Sequence, residues 1–278
     1  MSDQLQERHF ARISRLVEEH SGIRLPPAKR TMVEGRLRKR IRALGLTRLE
    51  DYGHAIFEGG QLNDELSHLI DCVTTNKTDF FREPDHFDFL RERALPLLAS
   101  LRNGANAPYK FWSAAASIGA EAYTIAMVAA EALGLDARRF SVLGTDISTE
   151  VIAQAQRAVY PAPMIDPVPP RLRERYVMRA IDAQRQEVRI VPELRRMVRF
   201  HCLNLMDPTY RVDRDFDVIF CRNILIYFAK ATQDAVLKRL CNHLRKGGFL
   251  FLGHSESLAG AELGAMRQIA PTIFCRMA

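Results

Sequence analysis

From about residue 108 the chain alternates strand-length apolar runs with helix-length stretches, and this alternation narrows the choice of fold more than any other feature. Tyr109-Lys110-Phe111-Trp112-Ser113-Ala114 reads as a first strand, followed by a helix from Ala120 to Leu133. Phe140–Thr145 is a second strand and Thr149–Ala158 a second helix. Val198–His201 and Phe216–Cys221 are further strands, and Thr232–Leu244 is a helix. Lys246-Gly247-Gly248 makes a turn into a strand over Phe249–Gly253. Strands that alternate with helices specify a mostly parallel sheet with helices on both faces, so the expected fold class is α/β.

Two regions depart from the alternation. Residues 1–72 read as helical: Phe10, Ile13, Leu16 and Val17 recur at helical spacing, and Met32, Val33, Leu37 and Ile41 form a stripe on a helix over Lys29–Ala43. Gly22, Pro26-Pro27, Gly45 and Gly59-Gly60 punctuate this part, with two more helices over Leu49–Phe57 and Leu62–Cys72. Residues 73–107 form a linker and a helix leading into the sheet. Residues 160–197 interrupt the α/β domain of 108–278: Tyr160–Pro170 is rich in proline, and Val188-Arg189-Ile190-Val191 alternates like a short antiparallel strand. An inserted β subdomain is expected there, a natural place for a partner surface.

With 278 residues the chain has room for about two domains. No apolar stretch approaches the ~20 residues of a membrane helix, and Met1–Glu7 lacks the basic start and apolar centre of a signal peptide. A cytoplasmic protein without membrane insertion is expected. Cys72, Cys202, Cys221, Cys241 and Cys275 are scattered, which excludes zinc ribbons and redox pairs and suits buried free thiols. The eight histidines are dispersed too, and His201 and Cys202 would point to opposite faces of a strand, so no metal site is expected.

Four segments carry candidate chemistry. The turn Ala114-Ala115-Ala116-Ser117-Ile118-Gly119 supplies small residues where backbone can approach a ligand, but it lacks G-x-G-x-x-G and a phosphate-gripping Lys-Ser or Lys-Thr. An adenosine carrying an amino acid suits it better than a pyrophosphate. Asp146 ends the second strand, where a carboxylate accepts hydrogen bonds from ribose hydroxyls or caps the next helix; Ser148 or Thr149 can take the cap instead. In Thr74–Glu83 the polar Asn76, Thr78 and Arg82 cluster where the linker crosses onto the sheet, and Arg can grip a carboxylate through two parallel hydrogen bonds. After the strand Phe216–Cys221 come Arg222 and Asn223, at a strand end where ligands bind in open α/β sheets, and then Tyr227.

Four blocks, in order and spacing, resemble the chemotaxis-receptor glutamate methyltransferases, the CheR family. They are Thr75-Asn76-Lys77-Thr78-Asp79-Phe80-Phe81-Arg82-Glu83, Trp112-Ser113-Ala114-Ala115-Ala116-Ser117, Phe220–Phe228 and Gly253-His254-Ser255-Glu256. The resemblance spans essentially the whole chain. It implies an all-helical N-terminal domain, a Rossmann-like S-adenosylmethionine-dependent methyltransferase sheet and a small inserted antiparallel subdomain. By the same resemblance, Asn76, Thr78 and Arg82 reach the methionyl part of the cofactor and the catalytic pocket. Glu121 and Asp146 take adenosine-side positions, Asn204 and Leu205 match an adenine-contacting pair, and Arg222-Asn223 match the pair after the fourth strand. Gly119-Ala120-Glu121-Ala122 departs from the family's usual Gly-Glu-Glu-Pro or Gly-Gln-Glu-Pro but retains the acidic Glu121. Ser257 stands where Asn often follows Glu256.

The implied reaction moves a methyl group from S-adenosylmethionine to a receptor glutamate, giving a methyl ester and S-adenosylhomocysteine. Arg82 and Tyr227 are the candidates for orienting the carboxylate. The implied partners are the cytoplasmic domains of transmembrane chemoreceptors. In some relatives a receptor C-terminal peptide adds a strand to the inserted subdomain, but here the loop 180–187 contains no glycine to ease a tight turn beside it. Arg36, Arg38, Lys39, Arg40 and Arg42 crowd one helix of a chain with net charge +7; they form a solvated face, a nucleic-acid surface or a dock for an acidic protein. Nucleic acid is not the expected partner, because aromatic interleaving and zinc motifs are absent and no prolines follow Asn223. A cofactor-binding adaptor that no longer reacts would have lost Arg82 or Tyr227.

Overall fold

The structure, a computed structural model, describes residues 3–74, 76–102, 107–182, 184–256 and 265–277. Thr75 and Ser257 of the motif blocks and Ala183 of the subdomain loop lie outside the described residues.

The N-terminal part is helical, with α1 over Glu7–Ser21, α2 over Arg30–Ala43, α3 over Leu49–Phe57 and α4 over Leu62–Val73. The apolar stripes read from spacing are the buried ones: Phe10, Ile13 and Val17 on α1, and Val33, Leu37 and Ile41 on α2. Helix α1 stops at Gly22, whose φ of 74° is a left-handed conformation that glycine adopts without strain. An added Cβ there would also lie 2.7 Å from the Met206 sulfur, so glycine lets the end of α1 press against the sheet domain.

Helices α5 (Pro84–Phe89) and α6 (Leu95–Leu101) lead into the sheet, joined by a π-helical turn over Leu90–Ala94 in which the Leu95 N–H reaches the Leu90 carbonyl. The α/β domain runs β1 (Tyr109–Ala114), α7 (Ala120–Leu133), β2 (Phe140–Asp146) and α8 (Thr149–Arg157). The insertion holds β3 (Val159–Pro161), α9 (Pro170–Tyr176), β4 (Val177–Arg179), β5 (Glu187–Ile190) and α10 (Pro192–Arg195). The chain ends β6 (Val198–Cys202), β7 (Phe216–Cys221), α11 (Lys230–His243), β8 (Leu244–Leu252), β9 (Met266–Ala270) and β10 (Ile273–Arg276).

Among the described residues the main sheet has the order β6-β2-β1-β7-β8-β10-β9. The first five of these strands pair in parallel, and β10 pairs antiparallel with both β8 and β9. The expected α/β class and the inserted antiparallel sheet, ordered β3-β5-β4, are both present. Two details differ from the sequence expectation. Lys246-Gly247-Gly248 is not a turn but part of β8, where a register shift against Phe216–Val218 absorbs the glycines. The β9–β10 hairpin was not foreseen. Among the described residues no helix is long and apolar enough to cross a membrane.

One buried apolar cluster joins the two parts of the chain. It runs from Phe10, Ile13 and Val17 on the helices to Trp112, Ile219 and Leu252 on the sheet, by way of Leu225 and Phe228. The other face of the sheet packs against α5, α6 and α7.

Candidate functional site

The chain builds β1, β2 and β6 outward on one side and then returns to place β7 on the other side of β1. That reversal opens a crevice at the carboxyl ends of the strands, where open α/β sheets bind ligands. A pocket lies there with about 1060 Å³ of empty space, counting its open mouth. Asn76, Thr78, Arg82, Glu121, Asp146, Asn204, Leu205, Arg222, Asn223 and Tyr227 all line it, although they come from five separate segments.

After β1 the backbone turns through left-handed conformations at Ala115 (φ 68°) and Ser117 (φ 50°). Phe81, Glu83 and Asn223 are also left-handed; of the eight such non-glycine residues among the described residues, Ala115, Ser117 and Asn223 line the pocket and Phe81 and Glu83 flank its lining residue Arg82. Such conformations cost of order 1–3 kcal/mol each and concentrate where function demands them. The Ser117 N–H donates to Asp146 (2.8 Å), and the Ser117 hydroxyl donates to the Asn76 carbonyl (2.9 Å). The linker is thus tied to the β1 turn.

Asp146 also accepts the Ser148 N–H (3.1 Å), while the Ser148 hydroxyl, not Asp146, caps α8 by accepting from Val151. Burial pushes the Asp146 carboxyl above its ordinary range, and the Ser148 and Ser117 amides pull it back. Each of its oxygens takes one amide, which leaves acceptor capacity for hydroxyl donors. Asn204 is more committed: its amide nitrogen donates to His20 O (2.6 Å) and its oxygen accepts from Met206 N (2.9 Å). Leu205, with its carbonyl taken by Tyr210 and Arg239, brings an apolar side chain to that end, beside Ile147 and Leu203.

Arg222 is buried between two carboxylates, 2.9 Å from Glu83 and 3.2 Å from Glu121, and it donates to the Arg82 carbonyl. Its charge is spent holding the linker, α7 and the β7 end together. Glu121 also accepts from the Ser113 hydroxyl (2.6 Å); burial pushes its carboxyl up, opposed by Arg222 and Ser113. Burial acts the same way on Glu83, but Asn223 and Arg222 outweigh it and hold that carboxyl below the usual range. Asn223 donates its side-chain amide to Glu83 (3.1 Å).

Arg82 donates to the Lys77 carbonyl (3.2 Å) and is half-buried in the pocket wall. Tyr227 closes a 3₁₀ turn over Leu225–Tyr227, and Lys29 sits 4.9 Å from the centre of its ring. The Tyr227 carbonyl accepts the Arg24 N–H (3.1 Å), which ties this loop to the helical part. Cys221 is fully buried with its thiol pushed up by burial, as packing requires and a nucleophile would not.

The basic residues of α2 divide. Arg36 donates to the Val73 and Thr74 carbonyls, and Arg40 forms an ion pair with the buried Glu65. Those two are structural, which narrows the expected docking face. Arg38, Lys39 and Arg42 are exposed, with Arg38 paired to Asp3. Sequence reasoning missed the wall that the N-terminal part contributes, Ser21, Ile23, Leu25, Lys29 and Met32, because its contact with the pocket is a tertiary one. It also assigned no task to Glu256. That carboxylate accepts four backbone N–H groups, from Gly253, Asn223, Ile224 and Leu225, at 2.7–2.9 Å.

Small left-handed backbone, a buried acceptor at a strand end and an apolar flank fit the S-adenosylmethionine that the resemblance implies. Residues 76–273 match the family model described as CheR methyltransferase, SAM binding domain, and residues 8–74 match CheR methyltransferase, all-alpha domain. The chain is 41% identical over 260 residues to a chemotaxis protein methyltransferase of Escherichia coli, covering 93% of this chain and 87% of that one. It is 40% identical over 257 residues to one of Salmonella typhimurium, covering 92% and 85%. It is 35% identical over 266 residues to chemotaxis protein methyltransferase 2 of Pseudomonas aeruginosa, covering 95% and 91%.

Proposed function

This chain belongs to the CheR methyltransferase family, and from that premise we infer that it methylates glutamate side chains of chemoreceptors. It is a methyltransferase that uses S-adenosylmethionine. The products of the inferred reaction are a glutamate methyl ester and S-adenosylhomocysteine, and the setting is adaptation in cytoplasmic chemosensory signalling. The observation that carries this reading is the convergence of Arg82 and Tyr227, distant in sequence, on one pocket with the acceptor Asp146.

When bound, S-adenosylmethionine supplies an electrophilic methyl group on a sulfonium. Asp146 would accept the ribose hydroxyls, and Ile147, Leu203 and Leu205 would flank the adenine. Asn76, Thr78 and Arg82 would reach the methionyl end. Glu121 and Arg222, which brace each other, would shape the floor beneath it, together with Asn223.

A glutamate carboxylate, with a reference pKa of about 4.3, is already a nucleophile at neutral pH. No general base is required. What remains is positioning, which demands reacting atoms roughly 3–3.5 Å apart and aligned. Arg82 would hold one carboxylate oxygen by charge-assisted hydrogen bonds and leave the other free to attack. Tyr227 would donate its phenol hydroxyl. The open edges of the three-stranded subdomain, β3 and β4, are where a receptor C-terminal peptide would add as a strand.

The test is methyl transfer from labelled S-adenosylmethionine to receptor membranes, with release of base-labile methanol as the readout. Arg82→Ala should lower turnover about 10²-fold or more and leave the fold intact. Tyr227→Phe should cost roughly tenfold, the worth of one hydrogen bond. Base-stable label, or an Arg82→Ala variant with unchanged turnover, would overturn the assignment.

A further inference from the structure

The helical part holds a cluster of two imidazoles and two carboxylates, none of which lines the pocket. Glu50, His54 and Glu58 recur every fourth residue along one face of α3 and its end. His9 comes across from α1, fully buried. The imidazole of His9 turns Nδ1 to Glu50 (2.7 Å) and Nε2 to Glu58 (3.4 Å). His54 does the reverse, with Nε2 at 3.6 Å from Glu50 and Nδ1 against Glu58. Both rings therefore face the same carboxylate with one nitrogen and back onto the same second carboxylate with the other.

We propose that His9 Nε2, His54 Nδ1 and the Glu58 carboxylate form a divalent-cation site of zinc type, with Glu50 fixing both imidazoles from behind. The three donor atoms lie within 4.8 Å of one another. Tetrahedral zinc, bonded at about 2.0–2.1 Å, sets neighbouring donors ~3.3 Å apart, and His9 Nε2 and Glu58 Oε1 are 3.4 Å apart. Metal-bound histidine characteristically gives its second nitrogen to a carboxylate, which is the place Glu50 occupies for both rings.

Two independent features mark the cluster as built. His9 Nδ1 and Glu50 Oε1 are buried 2.7 Å apart but out of hydrogen-bond alignment, so Glu50 backs the ring as a buried charge in contact with it. Gly53, inside α3, lies directly beneath the ring: an added Cβ would sit 2.4 Å from His9 Nδ1. A glycine within a helix costs about 1 kcal/mol relative to alanine, and here it makes the space that the imidazole fills. Arg8 and Arg12 reach the outer edges of the carboxylates, at 4.0 Å from Glu50 and 3.9 Å from Glu58. Arg12 is drawn aside onto the Phe57 ring, 4.0 Å from its centre, and toward the Phe57 carbonyl. The cation would pin α1 to α3, and α1 leads directly to Ser21 and Ile23 in the pocket wall. Histidines at positions 9 and 54 have no ligand spacing in sequence, which is why the sequence indicated no metal site.

The untagged full chain, stripped with a chelator, is titrated with zinc chloride by calorimetry and with cobalt chloride by visible absorption. One saturable equivalent and the intense ligand-field bands of tetrahedral cobalt are expected. His54→Ala and Glu58→Ala, both at exposed positions, should each abolish this binding while affinity for S-adenosylmethionine is unchanged. Glu50→Gln should weaken binding ~10–100-fold. Absence of a saturable equivalent in the unmodified chain overturns the site, as does binding that either exposed variant leaves undiminished.

Discussion

Glu256 shows how much of this site rests on a residue that need not touch any ligand. Its two oxygens gather the N–H groups of Asn223, Ile224 and Leu225, and so fix the left-handed Asn223 and the turn that presents Tyr227. Burial pushes its carboxyl up, while the four amides favour the charged form. An amide cannot replace it, because its NH₂ group would face backbone donors. Glu256→Gln should therefore destabilise the chain by about 1–3 kcal/mol and weaken S-adenosylmethionine binding, as read by denaturant melts and a binding titration. Unaltered stability would mean that the loop is held elsewhere. The block Gly253-His254-Ser255-Glu256 was legible as a motif, but its task was not. Three amides from another segment join that of Gly253 on one carboxylate only once β7 and β8 lie side by side. Arg222 is similar: it was legible as polar at a strand end, whereas its partners Glu83 and Glu121 lie 139 and 101 residues away.

Among the elements, α2 carries the clearest division of labour. Arg36 and Arg40 face inward to α4, and Lys39 and Arg42 face solvent. Arg40→Ala should cost about 1.5–3 kcal/mol of stability, since it leaves the buried Glu65 without its charged donor. Lys39→Glu with Arg42→Glu should instead spare the melting temperature and slow receptor methylation roughly tenfold at low salt, converging with the unmodified chain at high salt. A salt-independent deficit would remove the steering role. The helix and its stripe were readable from periodicity, because burial of Val33, Leu37 and Ile41 imposes a 3.6-residue repeat. The partition of its arginines was not readable, because each sits on the same polar-looking surface until α4 packs beside it. The β9–β10 hairpin escaped for a related reason. The edge strand β9 is mostly exposed, and β10 is only four residues long, so neither offers the long continuous apolar run of a central strand.

At the scale of the molecule, the helical part and the sheet share one apolar cluster, from Phe10 and Val17 through Phe228 to Trp112. They also share the pocket wall and the Arg24–Tyr227 backbone bond. Scanning calorimetry should accordingly record a single cooperative transition, with the van't Hoff enthalpy close to the calorimetric one. Two resolved transitions would show that the shared core couples the parts only weakly. The sequence by itself determined the class of sheet, the helical stripes, the interruption at 160–197 and the residue types at the strand ends. These are local consequences of periodicity, of turn chemistry and of where a chain can leave a buried strand. Only the tertiary structure decided that β7 returns beside β1 to open the crevice, and that α1 and α2 supply its outer wall. It also decided that His9 meets α3 over Gly53. Those arrangements depend on contacts between segments far apart in the chain, whose pairing is chosen by the packing of the whole core.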